Sequence, residues 1–238
     1  MSKSLPVLGI TTPRSDNWLD PDGVAIYRGR TEIVSESIGL AAMTRDRYLD
    51  AHSRIPAAVD KLVRNGADAI AIYGTSLTFS FGRKFYEDLA ADLSDRTRKP
   101  VITMATSLVQ ALKALKCRRV AVAAAYDSEV TTALVSFLSE HEIETAGSAF
   151  MGIQDMDKPL AVTADTMIDI SRRAVGDRDV DGVVMSCGGL RAIPITLALE
   201  KELSLPVVSS TAAGAWGALR MIGNTDRLAD VGRLFEEA

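Results

Sequence analysis

The residue in this sequence best placed for chemistry is a cysteine between an apolar run and two glycines. Cys187 follows Gly182–Ser186 and precedes Gly188 and Gly189, ahead of a stretch with helical period. A thiol at such a strand-to-helix turn meets backbone N–H groups and the positive end of a helix dipole, both of which favour thiolate. The glycines let a ligand approach the backbone closely. Taken alone, a free cysteine is more often a small buried hydrophobe, but a second turn reverses that weighing. Gly74-Thr75-Ser76 ends another apolar run and offers two hydroxyls and exposed amides where the first turn offers a thiol. That cluster suits a carboxylate held by several short hydrogen bonds. It also suits a helix N-cap, and the two readings are compatible because a helix N-terminus is itself an anion site. Tyr126 ends a third run in Ala-Tyr-Asp. It can donate a phenolic hydrogen bond into a cleft or pack on a helix, and the residues leave both open. Asp127 reads as the cap of the next helix.

Other candidates carry less. Cys117, in Lys-Cys-Arg-Arg, precedes a strand and reads as structural, and His52 and His141 stand apart from each other. No zinc spacing, phosphate loop, dinucleotide turn or strand-end lysine occurs, so neither a metal nor a cofactor is expected.

The elements that must position these turns alternate. Strands are expected at Pro6–Thr12, Ala69–Tyr73, Val101–Met104, Val120–Ala125, Gly182–Ser186 and Val207–Ser210, nearly continuous apolar runs of the kind buried on both faces. Helical period marks Arg45–Arg64, Arg83–Thr97, Ser128–His141, Ala164–Val175 and Ile193–Leu203. Thr44 and Thr163 stand at N-cap positions, and Asn65-Gly66 is a stop. The alternation predicts an α/β fold with parallel sheets.

Laid on itself at an offset of 113, the chain repeats its punctuation. Pro6–Pro13 falls on Arg119–Tyr126, Ile38-Gly39-Leu40 on Met151-Gly152-Ile153, and Asp68–Leu77 on Asp181–Leu190; a shorter link pairs Lys99–Thr103 with Leu205–Ser209. This reads as an internal duplication. The first half is expected over 1–105, completed by a C-terminal helix at 211–238, and the second over 106–210. Ligands of parallel sheets gather outside the strands' carboxyl ends. Facing halves would therefore enclose a cleft with Gly74-Thr75-Ser76 opposite Cys187-Gly188-Gly189 and Pro13 opposite Tyr126.

Composition narrows the function. Net charge is −4 with no basic run beyond two residues, so nucleic acid is not an expected partner. No apolar run approaches a membrane span, and the N-terminus reads as a first strand rather than an export signal. The expectation is a cytoplasmic monomer acting on a small molecule.

Together these motifs resemble the aspartate/glutamate racemase superfamily and, within it, the arylmalonate decarboxylases. The resemblance covers nearly the whole chain and rests on Gly74–Leu77 (GTSL), Ala125-Tyr126, Ser186–Leu190 (SCGGL) and Pro206–Ser210 (PVVSS). It implies two pseudo-symmetric parallel-sheet subdomains with flanking helices. Racemases and maleate isomerases of the superfamily use one cysteine from each half, whereas here Gly74 takes the first-half position, the decarboxylase pattern. The resemblance implies cofactor-free loss of one carboxylate from a disubstituted aryl- or alkenylmalonate and protonation of the enediolate by Cys187. Thr75, Ser76, Tyr126 and the amides of Cys187 and Gly188 would hold the surviving carboxylate. Leu40, Met43, Tyr48 and Met156 align with the apolar pocket, with Pro13, Leu77 and Gly189 beside the substrate. Two methionines and the nearby Pro159 imply a pocket shape of its own. Two other readings stay open: a one-cysteine isomerase or racemase acting on a dicarboxylate or hydantoin, and a non-catalytic ligand binder.

Overall fold

Continuous apolar segments become the central strands of two parallel sheets in the computed structural model, which describes residues 4–186, 189 and 191–238. Strands β1 (Val7–Thr12), β2 (Glu32–Ser37), β3 (Ala69–Ile72) and β4 (Val101–Thr103) pair in the order β2-β1-β3-β4. Strands β5 (Arg119–Ala124), β6 (Glu144–Phe150), β7 (Gly182–Ser186) and β8 (Val207–Ser209) pair in the order β6-β5-β7-β8. The same order and direction recur in both halves, but one expected match is corrected: Leu8 pairs with Ala69 and Val120 with Gly182, so β5 sits one residue out of the expected alignment and Pro13 is equivalent to Ala125, not Tyr126. Leu40 N–H donates to the Pro13 carbonyl at 2.6 Å, and its match Ile153 donates to the Ala125 carbonyl at 2.9 Å. Gly39 and Gly152 both carry a positive φ, +68° and +78°, the left-handed turn that lets the chain leave the edge strand toward the cleft.

Helices α1 (Pro21–Tyr27), α2 (Arg45–His52), α3 (Ile55–Arg64), α4 (Arg83–Thr97) and α5 (Met104–Ala114) belong to the first half of the chain. They are followed by α6 (Ser128–Glu140), α7 (Ala164–Val175), α8 (Ala192–Leu203), α9 (Ser210–Met221) and α10 (Arg233–Glu237). Several starts are capped by side chains. Asp127 accepts from Val130 N at 2.9 Å, Thr163 from Thr166 N at 3.2 Å and Ser209 from Ala212 N at 3.1 Å. Thr44 precedes α2 but makes no side-chain cap bond.

Several expected elements differ from the structure. The helix expected over 45–64 is broken between α2 and α3. Pro56 sits in the first turn of α3, where its missing N–H costs nothing, and Arg54 turns at the break to donate to the carbonyls of Ile38 (2.6 Å) and Gly39 (3.0 Å). The strand runs ending at Met104 and Ser210 stop one residue earlier, because those residues open α5 and α9. The C-terminal helix expected over 211–238 is two helices, interrupted after Met221 by Gly223 at φ +80° and an irregular stretch.

Helices α5 and α9, equivalent in the two halves, pack on each other, and α9 touches α1, β3 and β4 as well as β7 and β8. Its buried run from Ser210 to Leu219 is mostly alanine, glycine and hydroxyl residues. A Cβ on Gly217 would lie 2.3 Å from Ser107 Oγ, so the helices meet at a distance only glycine permits.

Candidate active site

One cleft lies at the carboxyl ends of β1, β3 and β5. It is lined by Thr12, Pro13, Tyr73, Gly74, Thr75, Ser76, Met104, Tyr126 and Gly189, and by Arg14, Trp18, Leu19, Asp20, Leu40, Met43, Met156, Pro159 and Leu160 from connecting loops. Each side chain reaches it for a local reason.

After β3 the chain must turn at once, and Gly74 supplies φ +105°. Ser76–Thr78 then form a single 3₁₀ turn. Thr78 clamps it: its hydroxyl donates to the carbonyls of Gly74 (2.9 Å) and Thr75 (3.2 Å) and accepts from Ala105 N at 3.1 Å. The turn is thereby tied to the start of α5. Thr75 and Ser76 sit almost fully buried on it. Thr75 Oγ1 donates to the Met104 thioether at 3.2 Å. A thioether is a weak acceptor, so little opposes redirecting that hydroxyl to an anion. Behind the turn, the Leu77 carbonyl accepts from the Tyr86 hydroxyl and contacts His52 Nε2 at 3.2 Å. Burial holds the His52 pKa below its ordinary value, so the ring is neutral in this packing.

Tyr126, 1% exposed, follows β5, the second half's counterpart of β1. Its ring meets Phe79 of the first half edge-on, with centroids 6.0 Å apart, and Ser186 Oγ donates to its phenolic oxygen at 3.2 Å.

The loops that carry the apolar lining are joined to each other. Met43 N–H donates to the Gln154 carbonyl at 2.8 Å, and Gln154 Nε2 donates to Asp127 at 2.7 Å. Arg14 bonds Asp157 at 2.5 Å, the Met156 carbonyl at 3.4 Å and Asp16 at 2.8 Å. Hydrogen bonds and charges from those two carboxylates raise the Arg14 pKa further. The cleft thus has hydroxyls at its strand ends and an apolar cover made by Leu40, Met43, Met156, Pro159 and Leu160. The one cation on its lining among the described residues is already paired.

Pro13, Leu40, Met43, Gly74, Thr75, Ser76, Tyr126, Met156 and Gly189 are brought together in this cleft. Cys187 and Gly188 lie outside the described residues. Tyr48 and Leu77 do not reach the cleft surface. Both are 0% exposed, Leu77 because the 3₁₀ turn rotates it inward and Tyr48 because α2 faces it into the core. Cys117 is also remote: it is buried at the start of β5 with Sγ 3.4 Å from the Asp181 carbonyl, and burial, aided by Asp181, pushes its pKa up to about 12. Among the described residues no group of three or more His, Cys, Asp or Glu could hold a metal ion, and no helix is long and apolar enough to cross a membrane.

Sequence reasoning missed Arg14, Trp18, Asp20, Tyr73, Met104 and Leu160. Tyr73 and Met104 were within reach, since each ends an expected strand. The others depend on loop paths that no periodicity encodes.

Residues 8–235 match the family model described as Arylmalonate decarboxylase. The chain is 33% identical over 237 residues to an arylmalonate decarboxylase of Bordetella bronchiseptica, covering 99% of this chain and 98% of the relative. A crystal structure of a doubly substituted arylmalonate decarboxylase in a liganded form superposes with a TM-score of 0.93 at 30% identity, covering 98% of this chain and 100% of that one. A maleate isomerase from Pseudomonas putida S16, with maleate, superposes with a TM-score of 0.92 at 20% identity over 99% of each chain, a likeness of fold.

Proposed function

The chain belongs to the arylmalonate decarboxylase family, and from that premise we propose that it releases carbon dioxide from an α-disubstituted malonate and protonates the product on one face. The observation that carries this reading is the division of one cleft into a hydroxyl-bearing floor and an apolar cover. One malonate carboxylate sits against Thr75, Ser76 and Tyr126. The other sits under the apolar cover, where poor solvation of its charge favours departure as neutral carbon dioxide. As the C–C bond breaks, its electron pair passes into the retained carboxylate and makes an enediolate. The negative charge there grows, so donors already aimed at it stabilise the transition state more than the ground state. The Cys187 thiol then gives its proton to the α-carbon, and the thiolate recovers a proton from solvent.

Handedness follows from asymmetry between the halves. Gly74 has no side chain to deliver a proton, so a thiol acts from one face only. The pairing of Arg14 with Asp16 and Asp157 supports the same chemistry, because an unpaired cation beside the departing carboxylate would hold it back.

The test is incubation of the purified chain with phenylmalonate and with α-methyl-α-phenylmalonate. Release of one equivalent of carbon dioxide and an enantiomerically enriched monoacid from the second substrate is the expected result. Recovery of both malonates unchanged, from folded protein across a panel of aryl, alkenyl and alkyl malonates, would remove this reading.

A further inference from the structure

Two polar side chains on the cleft lining have no part in holding a carboxylate or delivering a proton: Asp20 and Tyr73. Asp20 is the N-cap of α1, and its Oδ1 accepts from Asp22 N at 2.8 Å. Capping needs only one acceptor oxygen, which Ser, Thr or Asn supplies without charge. Here the residue is a carboxylate, 9% exposed. Its second oxygen accepts from Thr211 Oγ1 at 2.5 Å. A carboxylate offers about four acceptor positions, so two such bonds leave capacity unused. No cation among the described residues pairs with it; the nearby Arg191 pairs with Asp22 instead, at 3.2 Å. Burial accordingly holds the Asp20 pKa up, at about 6.

Tyr73 follows β3 directly, beside Gly74, and its hydroxyl is hydrogen-bonded to that of Tyr27, which is buried. One hydroxyl proton serves that bond, and the pair has a second to place. Room for the Tyr73 hydroxyl is made by Gly214 of α9, where a Cβ would stand 3.2 Å from it. Thr211, which bonds Asp20, and Gly214, which makes room for Tyr73, lie three residues apart on α9, so the two groups share one region of the wall. Trp18 lines the same cleft and offers a ring face.

A fixed negative charge in a cleft that must admit a dianion opposes binding, unless part of the ligand brings a donor to it. We propose that Asp20 and Tyr73 form a polar subsite that receives a hydrogen-bond donor, a hydroxyl or amino group, carried on the aryl substituent of the substrate. The subsite rests on the decarboxylase reading for the identity of the rest of the ligand. It makes the chain selective for hydroxy- or aminoaryl malonates over unsubstituted ones, because a buried carboxylate facing a bare ring is left without its donor.

The experiment compares kcat/KM for carbon dioxide release from phenylmalonate and from its 2-, 3- and 4-hydroxyphenyl analogues, in the wild type, Asp20→Asn and Tyr73→Phe. At least one hydroxyphenyl isomer is expected to exceed phenylmalonate by about tenfold or more, with that ratio cut to within about threefold of unity in Asp20→Asn and clearly lowered in Tyr73→Phe. A purely structural role would lower all four rates together and leave the ratio in place. Calorimetric binding of phenylacetate and the hydroxyphenylacetates separates the two readings. A hydroxyl preference in binding, with no malonate turned over, would retain the subsite and remove the decarboxylase assignment. Turnover of phenylmalonate with no hydroxyl preference by any isomer, or a preference that survives both substitutions, would overturn the subsite.

Discussion

Gly74→Cys puts a second thiol into the cleft and forces a side chain onto a backbone that resists one. The φ of +105° lies where residues with a Cβ are strained, a cost of roughly 1–3 kcal/mol. The new Cβ would stand 3.2 Å from Leu77 Cβ and 3.5 Å from both Leu77 Cδ2 and Pro13 Cβ, so Leu77 must give by a few tenths of an ångström. Leu77 is fully buried and its carbonyl is held by Tyr86 and His52, which restricts that relief. Strain and overpacking together come to about 2–4 kcal/mol. In urea this lowers the unfolding midpoint by roughly 1 M or more, at a slope of about 2–3 kcal/mol per M. The chemistry should change as well. With acids on both faces, the product of α-methyl-α-phenylmalonate loses enantiomeric excess. In Gly74→Cys/Cys187→Ser the excess inverts, because serine is a far weaker acid than cysteine. Urea titration and chiral chromatography read the two effects separately. A Gly74→Cys chain as stable as wild type would refute the backbone argument. An active double variant with wild-type handedness would refute the placement of Gly74 across from the proton donor.

Cys187→Ala should lose about 10²-fold or more in turnover while still binding malonate, whereas Cys117→Ala should keep near wild-type kcat; more than a tenth of wild-type turnover in the first would reject the proton-donor assignment. Thr75→Ala and Tyr126→Phe should each depress kcat more than they raise KM, by roughly 3 kcal/mol of transition-state stabilisation at most. A raised KM with kcat intact would make them simple anchors. The Asp20 carboxyl holds its proton in the folded state up to about pH 6, against an ordinary pKa of 3.8. Wild-type stability therefore falls as pH rises from about 4 to about 6, with Thr211, Asp22, Arg191 and Tyr73 as the groups facing it. Asp20→Asn lacks this titration, so urea unfolding at pH 4 and pH 7 should show the stability difference moving in its favour by on the order of 3 kcal/mol. Parallel curves at the two pH values would contradict the burial of that charge.

What could be read from the sequence follows from what each residue's neighbours are. The central strands β1, β3, β5 and β7 are packed on both faces and spell continuous apolar runs, so they stood out. Edge strands β2 (Glu-Ile-Val-Ser-Glu-Ser) and β6 (Glu-Thr-Ala-Gly-Ser-Ala-Phe) are partly solvated and paired on one side, and neither periodicity nor composition marks them. Helix α9 is buried all round by small residues and lacks the apolar stripe that identifies a surface helix. The turn at Gly74-Thr75-Ser76 was legible because a glycine and two hydroxyls follow a continuous apolar run. Asp20 was not: it reaches its partner Thr211 across 191 residues of sequence, and Arg14 reaches Asp157 across 143. Leu77 is a subtler case. Belonging to a motif placed it beside the substrate, and the structure shows it fully buried behind Gly74 and Pro13 of the cleft lining.

The close seam between α5 and α9 has a consequence for movement. Jaws that swing need a hinge with slack, and a contact in which Ser107 fills the space a Gly217 side chain would take has none. Rotating one sheet against the other would pull apart helices buried along most of α9. The cover is joined differently: the Arg14–Asp157 ion pair and the Met43–Gln154 hydrogen bond tie the loops after β1 and β2 to the loop after β6. The Asp157 side chain is 77% exposed, so salt weakens that pair far more than it loosens the seam. The cover and the frame are thus held by different forces: an exposed ion pair that salt screens joins the cover, and close packing that salt does not touch holds the frame under the hydroxyls.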